Sequence, residues 1–173
     1  MLKTDRLTIG ELKSEYADKL LDLWNDFDVI KYTNGTLKNT SDECRKQINF
    51  FNSHCMDGKK VNFAVFYGDE LIGICGFPPI KTAQDEYGFF YQLKRRYWGK
   101  GFASEFAPFM CQYAFEKLNA KVIYADSTTA NTASIKVLGK CGFKEIGTEK
   151  CGFKKNGYIL DIIHFALKAS SDK

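Results

Sequence analysis

Histidine and proline are scarce in this 173-residue chain, at two and three residues. The histidines, His54 and His164, stand far apart without ligand-like neighbours, and the six cysteines (positions 44, 55, 75, 111, 141 and 151) never form a C-x-x-C pair. That spacing argues against a zinc site and against a disulfide framework, so no metal is expected and the thiols are expected to be reduced. No apolar run approaches the ~18 residues that cross a bilayer. Met1 to Arg6 lacks the apolar stretch of a secretory signal. A cytoplasmic protein with no membrane partner is the resulting expectation.

Twenty-five basic residues against 21 acidic ones give a net charge of +4, which selects no partner class by itself. The run Lys94-Arg95-Arg96, followed by Tyr97 and Trp98, has the composition of a small nucleic-acid patch. Only three consecutive basic residues support that, and they abut a glycine loop, so a phosphate cradle explains them more economically. No nucleic-acid partner is expected. With 45% hydrophobic and 27% charged residues, the chain is read as one folded domain over 1–173, acting as a monomer or homodimer.

Periodicity orders the elements. Leu7 to Glu11 reads as a strand, and Tyr16, Leu20, Leu23, Trp24 and Phe27 share a helical face, predicting a helix over about 15–25. Thr40-Ser41-Asp42-Glu43 has the capping-box pattern and opens a helix with Cys44, Ile48, Phe51 and Cys55 as its apolar stripe. Two strands, 61–67 and 70–77, flank the hairpin signal Gly68-Asp69, and Pro78-Pro79 ends the second. A strand over 86–93 leads into the glycine loop. A helix over 102–118 then turns Phe106, Phe109, Met110 and Tyr113 inward, with Pro108 expected to kink it. Strands at 121–127, 143–149 and 158–167 follow, a helix capped by Asn131 lying between the first two. The order β-α-α-β-β-β-α-β-α-β-β indicates an α/β domain with a mixed sheet.

The most informative run is Arg96-Tyr97-Trp98-Gly99-Lys100-Gly101-Phe102-Ala103-Ser104. Its glycines let the backbone approach a ligand closely, and the helix that follows offers free N–H groups and partial positive charge to a phosphate. Downstream, Asn131-Thr132-Ala133-Ser134 opens a helix that Gly142-Phe143 closes. With R-x-x-G-x-G at 96–101 and N-x-x-S at 131–134, the chain resembles the GCN5-related N-acetyltransferase superfamily. Glu86-Tyr87-Gly88-Phe89 makes it similar to the branch that acetylates ribosomal-protein alanine and serine N-termini.

The resemblance implies acetyl-CoA as co-substrate. Tyr91, Gln92 and Leu93 would pair with its pantetheine arm. Arg96, Trp98, Gly99, Lys100, Gly101, Phe102 and Ala103 would surround its pyrophosphate, and Lys136 or Lys140 would reach its adenosine end. It also implies catalytic roles: Glu86 as base, Asn131 as the group orienting pantetheine or a water, and Ser134 as a proton donor near the thioester sulfur. Asp85, adjacent to Glu86, would point to the other face of the strand. Many superfamily members carry a tyrosine acid seven residues after the asparagine; here that position is Leu138.

The acceptor is an amine. Deprotonating a lysine at pH 7 costs roughly 4.6 kcal/mol, an α-amine only about 1–1.4 kcal/mol, so an N-terminus needs a weaker base. A protein α-amine is the expected acceptor, with Tyr32 among its contacts and the lysine-bearing segment 150–157 at its border. A polyamine, amino sugar or antibiotic is the alternative. An acyl-CoA-binding module without catalysis is the alternative of another class.

Overall fold

The computed structural model describes residues 1–53, 59–80, 83–155 and 157–169; His54 and Cys55 lie outside them. Strands Leu2–Lys3 (β1) and Leu7–Glu11 (β2) lead through a short 3-10 turn into helices Ala17–Trp24 (α1), Phe27–Ile30 (α2) and Ser41–Asn52 (α3). Strands Asn62–Tyr67 (β3), Glu70–Gly76 (β4), Glu86–Gly88 (β5) and Phe90–Leu93 (β6) follow. A second 3-10 turn, Arg95–Tyr97, precedes helix Phe102–Lys117 (α4). Val122–Thr128 (β7), Thr132–Lys140 (α5), Lys144–Lys155 (β8) and Tyr158–Lys168 (β9) complete the chain.

Alternation along β3 and β4 places helices on both faces. Ala64, Leu71 and Ile74 pack with Leu20, Leu23, Trp24 and Ile48 from α1 and α3. Phe63, Val65, Ile72 and Cys75 pack on the other face with Phe106, Met110 and Val137 from α4 and α5. Neighbouring residues of a strand face opposite sides, so two cores share one sheet. The capping box at α3 is complete: Thr40 Oγ1 accepts from the Glu43 amide at 3.2 Å, and the Glu43 carboxylate accepts from the Thr40 amide at 3.2 Å.

The strand expected over 86–93 is two strands in two different sheets. One sheet runs β1-β2-β3-β4-β6 and the other β5-β7-β9-β8. β5 pairs with β7 in parallel, and Phe89 makes the next link by donating to the Tyr124 carbonyl at 2.7 Å. From Phe90 onward the chain pairs with β4 instead, in the register Gly76↔Phe90 to Gly73↔Leu93. Two glycines of β4 explain the switch. A Cβ at Gly73 would overlap the Gln92 carbonyl oxygen, and one at Gly76 would overlap the Phe90 ring. Their hydrogens let β6 close onto β4 and thereby part from β7.

Three smaller expectations differ. Phe109 is 36% exposed because the buried arc of α4 runs through Phe102, Phe106, Met110 and Ala114, leaving Phe109 at its margin. Asp85 stands before the strand at φ 62°, with its carboxylate 3.1 Å from Lys121. β8 extends to Lys155, so the segment expected beside the acceptor is largely strand. α4 continues through Pro108. Among the described residues no helix is long and apolar enough to cross a membrane.

Candidate functional site

Where the chain passes from β5 to β6 it leaves β7, and among the described residues one edge of β6 has no strand partner, because β6 ends its sheet. A cleft of about 920 Å³ opens there. Tyr91, Gln92 and Leu93 form one wall and the turn with Trp98, Gly99 and Gly101 forms its end. The first residues of α4, Phe102 to Ser104, continue that end, and the start of α5, with Asn131 and Ser134, stands opposite. Asp28, Lys31, Tyr32 and Thr33 close the far end.

Gly101 is the N-cap of α4 in the left-handed conformation, φ 80°. A glycine adopts that backbone without strain, and the free N–H groups that start α4 lie at this end of the cleft. The cation at this end comes from α5: Lys140 Nζ donates to Ser104 Oγ at 3.3 Å, and Lys136 also lines the cleft. Trp98 donates from its indole to the Leu93 carbonyl at 2.7 Å, and Trp24 donates to the Gln92 side chain at 2.8 Å. Both bonds fix the wall.

Asn131 caps α5, accepting from the Ser134 amide at 3.3 Å. Burial pushes the pKa of the Tyr91 phenol up to about 12, an effect the Ser134 side chain beside it partly opposes. A phenol so held stays protonated, and remains a donor, throughout the neutral range. Tyr91 was expected to contribute only backbone groups; its hydroxyl carries no signal in local sequence.

Three site residues expected from the sequence lie elsewhere. Arg96 does not line the cleft. It pairs with Asp22 at 3.2 Å and with Glu70, and the hydrogen bond to Glu70, together with the charge of both carboxylates, raises its pKa further. Its neighbours do the same: Lys94 meets Asp22 at 2.9 Å, and Arg95 meets Asp26 at 3.0 Å and Asp28 at 2.9 Å. The basic run ties the turn before α4 to α1, the start of α2 and β4, through carboxylates from distant segments. Lys100 also stands outside the cleft, its Nζ 5.2 Å from the Tyr97 ring centre. Glu86 begins β5 outside the cleft, and burial, with the Glu86 carboxylate beside it, raises the Tyr124 pKa.

The far end is built by tertiary contact. Lys155 Nζ donates to the Thr33 carbonyl at 2.9 Å and to that of Gly35. Tyr158 meets Tyr32 edge-on at 5.8 Å. Asp28, the carboxylate here, is held below the ordinary value by Lys31 at 2.9 Å, with Arg95 adding to it.

An open strand edge that leads to a helix N-terminus suits a long co-substrate with amides at one end and phosphates at the other. A co-substrate of the acyl-CoA type has that form. A family model described as an acetyltransferase (GNAT) domain matches residues 6–144. An uncharacterized N-acetyltransferase, p20, of Bacillus licheniformis is 35% identical over 168 residues, 96% of this chain and 94% of its own. Two solved structures share the fold. RimL, a ribosomal L7/L12 alpha-N-protein acetyltransferase in complex with coenzyme A, superposes with TM-score 0.86 at 18% identity, over 98% of this chain and 97% of that one. Spermidine N-acetyltransferase of Vibrio cholerae, in complex with CoA and spermine, superposes with TM-score 0.81 at 24% identity, over 94% and 95%. The chain belongs to the GNAT acetyltransferase family and is an N-acetyltransferase.

Proposed function

We propose that this N-acetyltransferase acts on the α-amine of a protein N-terminus. The observation that carries the reading is the state of Asp28. A polyamine acceptor calls for carboxylates free to meet its several cations, whereas Asp28 is already engaged by Lys31 and Arg95, both at 2.9 Å. Lys31 and Lys155 add positive charge at the same end of the site. A single amine on an otherwise neutral or acidic segment suits these surroundings. The two fold neighbours act on acceptors of both kinds, so the choice rests on this charge pattern.

The edge of β6, through Tyr91, Gln92 and Leu93, is assigned to the pantetheine amides, because an unpaired strand edge offers both N–H and C=O groups. Trp98, Gly99, Gly101, Phe102 and Ala103 are assigned to the pyrophosphate, with Lys136 and Lys140 beyond them. Acetyl-CoA supplies the thioester: the amine nitrogen bonds to its carbonyl carbon, the C–S bond breaks and a thiolate departs. Asn131 orients the reactants. Ser134, backed by the neutral Tyr91 phenol, donates a hydrogen bond to the departing sulfur, where a superfamily tyrosine is replaced by Leu138. Glu86 is assigned as base, acting through water because it does not line the cleft. An α-amine with a pKa near 7.7–8.0 asks no more of it.

Free-thiol release from acetyl-CoA tests the reading. The panel contains peptides with N-terminal Ser, Ala, Met or Thr alongside polyamines and amino sugars, with products confirmed by mass spectrometry. Acetylated peptides are the expected result. Acetylation of small amines alone overturns the acceptor assignment, and binding without turnover on any member identifies a sensor.

A further inference from the structure

Arg6 does not line the cleft, yet its contacts converge on the loop at its end. Its backbone N–H donates to Glu105 Oε1 at 2.9 Å, and its Nε donates to Glu105 Oε2 at 2.7 Å. Its Nη1 donates to the Lys100 carbonyl at 3.2 Å. The guanidinium also covers the Phe102 ring at 4.5 Å. Thr4 completes the group, donating to the same carboxylate at 2.5 Å.

Two physical consequences follow. Glu105 lies in the first turn of α4 with a side chain only 15% exposed. A carboxylate there suits the helix dipole but opposes any anion brought to the same helix start. Arg6 cancels that charge. The second consequence is geometric. A peptide unit is planar and trans, so its C=O and N–H point in opposite directions. Fixing the Lys100 carbonyl toward Arg6 turns the N–H of Gly101 the other way, and Gly101 lines the cleft.

We propose that Arg6 is a positioning residue for the pyrophosphate of acetyl-CoA, neutralising Glu105 and aiming the Gly101 amide. The inference rests on the assignment of the glycine loop to the pyrophosphate made above.

The test compares acetyl-CoA with S-acetyl-pantetheine, which lacks the pyrophosphate, as donors for Arg6→Met, Arg6→Lys and Arg6→Met/Glu105→Gln. Thermal melts establish that each variant is folded at the assay temperature. Arg6→Met is expected to raise the KM for acetyl-CoA roughly tenfold, from the loss of a charged hydrogen-bond donor, with kcat retained and the KM for S-acetyl-pantetheine unmoved. Removing the Glu105 charge in the double variant should recover part of the loss. Arg6→Lys, which keeps the charge but not the fork to Lys100, should fall between. Equal losses with both donors, or no rescue by Glu105→Gln, would overturn the proposal. Gly101→Val separates the two levels: unchanged acetyl-CoA affinity there refutes the loop assignment itself. A loss there without any change in Arg6→Met refutes only the role of Arg6.

Discussion

Lys155 of β8 donates to the Thr33 carbonyl at 2.9 Å and so fastens the β8–β9 hairpin to the loop that follows α2. Thr33 of that loop lines one end of the cleft, the hairpin backs the loop, and neither segment is near the other in sequence. Burial lowers the Lys155 pKa, yet the two carbonyls it meets satisfy its ammonium group. Lys155→Met should raise the acceptor KM roughly three- to tenfold, the scale of one ordinary net hydrogen bond. Acetyl-CoA affinity, set at the opposite end, should stay constant. Initial-rate kinetics with each substrate varied in turn check the split, and a shift confined to acetyl-CoA would refute it.

Tyr91 and Ser134 line the cleft together, and the Ser134 side chain acts on the buried Tyr91 phenol. Ser134→Ala is expected to lower kcat by roughly tenfold to a hundredfold, within the range for loss of an acid–base group, with little change in acetyl-CoA affinity. Tyr91→Phe should lower it less. The double variant should be no worse than Ser134→Ala, since residues that act together are not additive. Additive losses would show two separate roles.

Arg96 separates the tether from the cradle. Arg96→Met removes pairs to Asp22 and Glu70 on a half-exposed surface, so stability should fall by only about 0.5–1 kcal/mol. The KM for acetyl-CoA should not change. Denaturant titration and kinetics on the same sample measure both, and a selective loss of cofactor affinity would restore Arg96 to the phosphate site.

Gly73→Ala tests the origin of the cleft. The added Cβ overlaps the Gln92 carbonyl, a backbone atom that cannot rotate away. Displacing β6 should cost about 1–3 kcal/mol, the usual range for overpacking, and should weaken acetyl-CoA binding together with stability. An unchanged melting temperature would show that β6 yields easily.

Glu105 sets an acid limb. Its donors, Thr4 and Arg6, hold its pKa below the ordinary 4.5 in spite of opposing burial. A depressed carboxylate stabilises the fold fully above its unfolded value and loses that contribution as pH falls through the folded one. The stability gap between the native protein and Arg6→Met should therefore be constant above about pH 4.5 and narrow below it. Urea melts across that window read it directly, and a gap independent of pH would exclude the charge as its cause.

Local spacing made much of the molecule legible. The Thr40–Glu43 capping box, the Asn131 cap and the turn from Gly99 to Gly101 involve groups within four residues of one another, so short-range sterics and hydrogen bonds specify them. The hairpin strands and the helix that begins at Phe102 follow from periodicity in the same way. A basic run, by contrast, has no local preference between phosphate and carboxylate. Whether Arg96 met a ligand or Asp22 and Glu70 depended on where α1 and β4 came to rest. The phenol of Tyr91, the hinge at Phe89 and the clamp from Lys155 likewise arise between segments distant in sequence. The sequence by itself determined the family, the glycine turn and the helix caps. Only the tertiary structure decided which strand edge stays open and which charges are already spent, because both depend on contacts between strands and helices far apart along the chain.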